Sequence, residues 1–241
     1  MNPFQTNSNI IYANSTKEDG NMSFRYGEKE TTIENRKKFL AKYGVDIKDC
    51  IIIMTEDGER ITVVDSTNKA SVDSFIPTEA LITKDRNLTL FLMTGDCLPI
   101  ALYDPNREVI ALAHLGWKPT NNKLITKVVE RMKNEFGSNP QDILACIGSG
   151  IHKESYVFPD PIQKTLPDWQ PFLKNLPSGD TQIDIVGYNR AQMLSVGLKD
   201  ENIFIDPTDT AISENYFSHY RSVRTNELEG RFATIVGLKA N

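Results

Sequence analysis

The sequence predicts an α+β fold: mixed and antiparallel β-sheets flanked by helices, layered in one domain spanning residues 1–241. Three observations lead there. Short β-rich runs follow one another through turns and do not alternate regularly with helices, which argues against a doubly wound sheet. The few helical stretches are amphipathic and fit the flanks of a sheet. Finally, 241 residues with 39% hydrophobic and 24% charged side chains suit one large globular core.

The elements follow in order. Thr31, Thr32, Ile33 and Glu34 read as a capping box opening a helix through residues 35–40, with Gly44 as its stop. Next come β-type runs at 51–54, 60–64, 88–93, 98–103 and 108–114, rich in Ile, Val and Leu. Leu124, Ile125, Val128, Val129, Met132 and Phe136 share one face of a helix that Gly137 closes. Residues 143–147 read as a buried strand, 184–196 as a helix ended by Gly197, and 231–238 as a final strand. The polar, proline-bearing stretch 158–181 reads as a surface excursion.

Composition excludes several classes. The formal charge is −5 and basic residues are scattered, so no nucleic-acid partner is expected. No apolar run approaches the ~18–20 residues that cross a bilayer, and the first residues lack a signal-peptide pattern. Cys50, Cys97 and Cys146 are odd in number and widely spaced, which suits a reducing cytoplasm and no disulfide framework.

The most informative segment runs from Thr94 to His114. Asp104, Pro105 and Asn106 are turn chemistry. A turn centred between Pro105 and Asn106 sets Cys97 directly opposite His114, with Cβ atoms ~4.5–5.5 Å apart. A thiol and an imidazole so placed form a metal pair, a thiolate–imidazolium pair, or both. The plainer alternative is a small buried thiol beside a hydrogen-bonded core histidine. Asp96 and the glycine-bearing turn after His114 favour the functional reading. Cys50 and Cys146 read as structural, and His152 and His219 as solvated or structural.

At these residues the chain resembles the YfiH-type laccase-domain family. That family shows T-A-D-C-x-P, then a D-P turn, then H-A-G-W-R-G. The corresponding residues are Thr94-Gly95-Asp96-Cys97-Leu98-Pro99, Asp104-Pro105 and His114-Leu115-Gly116-Trp117-Lys118-Pro119. Further matches, in order, are Glu34-Asn35-Arg36, Glu79-Ala80-Leu81-Ile82-Thr83, Ile147-Gly148-Ser149-Gly150-Ile151, Asn189-Arg190-Ala191-Gln192-Met193-Leu194, Phe217-Ser218-His219-Tyr220-Arg221 and Gly230-Arg231.

Members were once labelled multicopper polyphenol oxidases and are regarded as zinc-dependent purine nucleoside phosphorylases with adenosine deaminase activity. The resemblance thus implies purine nucleoside and phosphate as substrates and Zn2+ as cofactor. Copper is the weaker reading, because multicopper sites need many histidines and this chain has three. The implied ligands are Cys97, His114 and a histidine that is absent. Asp57 stands at its position, with Glu56 one residue away. Lys118 and Arg221 are the phosphate candidates, with Arg36 and Arg231 in reserve. Asp96 is expected to orient the loop or bind substrate, and Trp117 to stack on a purine. Lys118, Pro119 and Ser149 replace the family's arginine, glycine and proline. Two rival readings stand beside this one: a thiol hydrolase or deamidase using Cys97 and His114, and a nucleoside-binding pseudoenzyme with a degraded metal site.

Overall fold

The computed structural model describes residues 4, 7–69 and 75–239. The strands, in chain order, begin with β1 (Ile10–Asn14), β2 (Cys50–Met54), β3 (Ile61–Val63), β4 (Phe75–Pro77) and β5 (Ala80–Thr83). They continue with β6 (Thr89–Thr94), β7 (Leu98–Asp104), β8 (Val109–Leu115), β9 (Leu144–Ile147) and β10 (Val157–Phe158). The last are β11 (Leu173–Asn175), β12 (Thr181–Ile183), β13 (Ile203–Ile205) and β14 (Phe232–Leu238). The helices are α1 (Lys29–Ala41), α2 (Trp117–Asn121), α3 (Leu124–Phe136), α4 (Ile185–Ser195) and α5 (His219–Thr225).

One sheet has the order β1-β14-β6-β2-β4 and the other β13-β9-β7-β8-β5-β3, each mixing parallel and antiparallel pairs. Period-two alternation packs them face to face. Leu81, Ala101, Tyr103, Ile110 and Leu112 of the second sheet meet Ile51, Ile53, Leu90 and Val236 of the first. The intervening residues Ile100, Leu102, Ala111 and Ala113 face α3 and α4. Ile52, Phe91 and Ile235 face α1 through Phe39 and Leu40. Four layers result: helix, sheet, sheet, helices.

Local signals place the helices with mixed success. The apolar stripe of α3 is buried through Leu124, Ile125, Val128, Val129 and Met132, each contributing about 1.5–3 kcal/mol of transfer free energy. Gly137 ends it in the left-handed conformation, at φ 69°. Asp184 caps α4 by accepting from the Gly187 N–H. The capping box expected at Thr31 is absent. α1 starts at Lys29 after Glu28, which makes no cap bond, and Thr32 lies buried inside the helix.

Residues 158–181 lie mostly at the surface, as expected, but they are structured: residues 157–183 build the three-stranded sheet β10-β12-β11. Trp169 is fully buried there, and its indole N–H donates to Asn121 Oδ1 at 3.0 Å. Among the described residues no helix is long and apolar enough to cross a membrane.

The hairpin of β7 and β8 is buried over all its strand residues. Its register differs from the expected one. Pro99, not Cys97, pairs with His114, because Asp104 pairs with Val109 across a loop of residues 105–108. Asp104 Oδ1 accepts from the N–H groups of Asn106 and Arg107, at 2.8 and 3.1 Å, which draws both into the turn. Glu108 then closes it at φ 52°. The loop is longer than the expected one by an even number of residues, so Cys97 keeps the face of His114 and stands level with Gly116.

Candidate functional site

Three strand ends build the floor of the site. His114 is the penultimate residue of β8, Cys97 precedes β7 and Glu79 precedes β5. β5 and β8 pair antiparallel with Ala80 opposite Ala113, so Glu79 lies opposite His114, and the His114 N–H donates to the Glu79 carbonyl at 2.8 Å. Side chains follow the backbone. Glu79 Oε2 lies 2.6 Å from His114 Nδ1, with both residues buried.

The other edge of the imidazole faces the Cys97 sulfur. The two groups converge over Gly116. A Cβ at Gly116 would lie 3.2 Å from Cys97 Sγ and 3.6 and 3.7 Å from His114 Cε1 and Nε2. Residue 116 is thus a glycine for space; at φ −77° it needs no unusual backbone.

Electrostatics reinforce the row. Burial opposes charge on His114, but the Cys97 sulfur and the Glu79 carboxylate outweigh it and raise the imidazole to about 10. Burial pushes the Glu79 carboxyl up; its bonds from His114 and from the N–H groups of Glu56 and Gly58 prevail and hold it below the usual range. Burial, then Cys97 and Asp96, raise the Tyr156 hydroxyl well above its ordinary value.

Above the floor opens a cleft of about 670 Å³. Trp117, Tyr156, Phe158 and Tyr220 supply aromatic walls, and Asp57, Lys118, His219 and Arg224 the polar rim. Tyr156 meets Phe158 edge-on at 5.3 Å, and Phe158 meets Tyr220 at 5.8 Å. The Arg224 guanidinium lies 3.4 Å from the Tyr220 ring centroid. His219 Nδ1 sits 2.8 Å from Glu229 Oε1.

The residues expected from sequence divide. Cys97, His114, Trp117, Lys118, Asp57 and Asp96 all line this cleft or its floor. Of the two roles expected of Asp96, its contacts are those of a residue that orients the loop. Its carboxylate is buried and accepts from Thr210 Oγ1 at 2.7 Å, Ser218 Oγ at 3.0 Å and the Tyr220 N–H at 2.6 Å.

Arg221, expected to meet phosphate, is committed within the protein. Its guanidinium donates to Glu227 and to the carbonyls of Thr210, Ser213 and Tyr216. Arg36 is buried against Phe24 and donates to the Met22 carbonyl, and Arg231 donates to Gly230, Tyr26 and Glu229. Both line a different depression.

The expected metal trio is not assembled. Asp57 is exposed at φ 58° and ion-pairs with Lys118 at 3.1 Å. Glu56 lies 3.7 Å from Arg60. Among the described residues no three His, Cys, Asp or Glu side chains are grouped to hold a metal. Cys97 and His114 alone fall short of the three protein ligands that catalytic zinc keeps, and further still from a multicopper centre.

Sequence reasoning missed Glu79, Tyr156, Phe158, Tyr220 and Arg224, and it read His219 as solvated or structural. A carboxylate leading into the wholly buried strand β5 was the available signal for Glu79.

The model of the family described as multi-copper polyphenol oxidoreductase laccase matches residues 7–239. The chain is 24% identical to purine nucleoside phosphorylase YlmD of Bacillus subtilis, covering 98% of this chain and 91% of the relative. It is 29% identical to a purine nucleoside phosphorylase of Deinococcus radiodurans, covering 90% and 81%. Among solved structures it superposes on hypothetical protein YfiH of Bacillus licheniformis with a TM-score of 0.87 at 27% identity, covering 95% and 93%. YlmD of Geobacillus stearothermophilus gives a TM-score of 0.90 at 22% identity, covering 100% and 94%, a likeness of fold.

Proposed function

Since the chain belongs to the family described as multi-copper polyphenol oxidoreductase laccase, whose relatives named above are purine nucleoside phosphorylases, we propose that it phosphorolyses purine nucleosides in the Cys97–His114 cleft. The observation that carries this reading is the meeting of aromatic walls with two cations at one mouth. Trp117, Tyr156, Phe158 and Tyr220 offer faces and edges to a flat purine. Lys118 and Arg224 offer charge to phosphate, and Arg224 has nitrogens beyond the Nη1 that donates to the Tyr220 carbonyl at 3.1 Å.

In the reaction a phosphate oxygen bonds to C1′ of the ribose while the C1′–N9 bond breaks. The bonding pair leaves with the purine, which takes up a proton. The products are ribose 1-phosphate and free base. His219, oriented by Glu229, is the rim group suited to supply that proton, and the Cys97–His114 pair forms the floor beneath the departing ring. No step is routed through zinc or copper, because the donor set does not gather around either ion.

The test is release of hypoxanthine from inosine plus inorganic phosphate, with adenosine assayed alongside for deamination. Substituting Ala for Lys118 or Arg224 should raise KM for phosphate about tenfold each, the loss of one charge-assisted hydrogen bond. No free base with or without added zinc would remove the reading.

A second reading is favoured by the row Glu79–His114–Cys97, in which a carboxylate orients an imidazole beside a thiol. The thiolate would attack a carbonyl carbon, expel an amine or alcohol, and yield the thioester to water. A burst of p-nitrophenol from its acetate ester, lost in Cys97→Ser, identifies that chemistry. An unchanged burst in that variant excludes it.

A further inference from the structure

Glu79 holds two things at once. One carboxylate oxygen, Oε2, binds His114 Nδ1 at 2.6 Å. The other, Oε1, accepts from the backbone N–H groups of Glu56 and Gly58, at 2.5 and 3.2 Å. Those residues flank Asp57, whose side chain reaches out to Lys118 at the mouth of the cleft. Lys118 in turn follows β8 by three residues, on the first turn of α2. One fully buried carboxylate therefore joins the imidazole at the floor to the loop that carries the rim.

We propose that Glu79 is a positioning residue that couples the Asp57–Lys118 pair at the mouth to the orientation of His114 at the floor. The inference rests on the phosphorolysis reading in one respect: the anion that opens the pair is taken to be phosphate.

The physical basis is the sharing of a single acceptor. A carboxylate carries about four lone-pair sites, and three donors occupy those of Glu79. Strengthening or weakening any one bond redistributes charge among the rest. The Asp57–Lys118 pair is exposed, with 59% and 48% of the respective side chains accessible, and opens at little cost. An anion that captures Lys118 frees Asp57. The 56–58 segment, held at its base by Glu79 and strained by the left-handed Asp57, then has leave to shift. Its two N–H bonds to Oε1 loosen, and Oε2 tightens on His114. Binding at the rim thereby sets the ring for reaction at the floor.

The chain has three histidines, so the ring resonances of His114 are assignable by subtraction with His114→Gln. The probe is the ¹H–¹⁵N spectrum of that imidazole. Added inorganic phosphate should move it in the wild type. The movement should shrink severalfold in Asp57→Asn and vanish in Glu79→Gln. A mutational arm needs no ligand: Lys118→Gln alone should shift the His114 ring, and should not do so on a Glu79→Gln background. Asp57 and Lys118 are exposed, so their variants keep the fold even where Glu79→Gln does not.

In turnover, Glu79→Gln should lower kcat for inosine by about 10- to 100-fold, with Glu79→Asp recovering part of it. Ring resonances that ignore Lys118→Gln, or that respond equally with Glu79 replaced, overturn the coupling. Absent phosphate binding with an intact mutational response overturns phosphorolysis and leaves the coupling standing.

Discussion

Replacing Asp96 with Asn probes how the cleft's outer wall is held. Asp96 stands at φ 94°, a conformation that Asn tolerates better than most residues, so the substitution reports hydrogen bonding and not backbone strain. The carboxylate binds Thr210, Ser218 and the Tyr220 N–H, and through the last two it fixes the start of α5, which carries His219, Tyr220 and Arg224. Hydrogen bonds to a charged acceptor contribute about 1.5–3 kcal/mol each, against about 1 kcal/mol for neutral ones. The Asn amide can turn its NH2 toward the Thr210 hydroxyl, which can accept, and keep its oxygen on Tyr220. The three bonds survive without their charge, a loss of about 2–4 kcal/mol in total.

For a chain of this size each kcal/mol lowers Tm by about 2–4 °C, so the expected drop is roughly 4–16 °C. Differential scanning calorimetry reads the stability, and inosine kinetics should show a raised KM as the wall loosens. Asp96→Ala, which removes the acceptor and tolerates this φ poorly, should cost more. A Tm for Asp96→Asn within about 2 °C of wild type, with KM unchanged, would refute the assignment.

Two further outcomes follow from neighbouring geometry. Gly116→Ala sets a methyl 3.2 Å from Cys97 Sγ at a permissive φ, so the sulfur must yield a few tenths of an ångström. Stability should fall by only about 1 kcal/mol while phosphorolysis drops about tenfold, and full activity would show that the sulfur–imidazole contact is idle. Burial, with Asp49 and Asp46 adding to it, pushes the Cys50 thiol up to about 12, against about 8.5 in an unfolded chain. The folded state thus keeps a proton that the unfolded state releases, so this stability is whole below pH ~8.5 and declines toward pH ~12. Urea unfolding between pH 8 and 10.5 should cost wild type about 2–3 kcal/mol more than Cys50→Ser, and parallel curves would refute the linkage.

How much of this was legible in the sequence depended on the range of each interaction. The α3 stripe, the Gly137 stop and the helix that starts at Asp184 are local, and all appear where expected. Cys97 and His114 were legible because a hairpin is nearly local; the turn's length was misjudged by an even number of residues, which pleating forgives. Glu79 carried a local signal but its partner was opaque, since its meaning depends on β5 lying beside β8, 35 residues from that partner. Arg224 and Tyr220 reach the cleft only because Asp96 ties α5 down across 124 residues. The stretch around Trp169 was legible as surface but not as structured, because prolines and charges mark its composition while one indole decides its packing.

The exposed tip of the central hairpin carries a practical consequence. Residues 105–108 stand at the far end of β7 from Cys97, and seven residues at about 3.3 Å each set roughly 23 Å between them. A short affinity peptide or a fluorophore grafted there would ride on the most deeply embedded ladder of the molecule without touching its chemistry. Enzyme tethered to a surface through that point would stand with the Cys97–His114 cleft turned outward, toward the solution that feeds it.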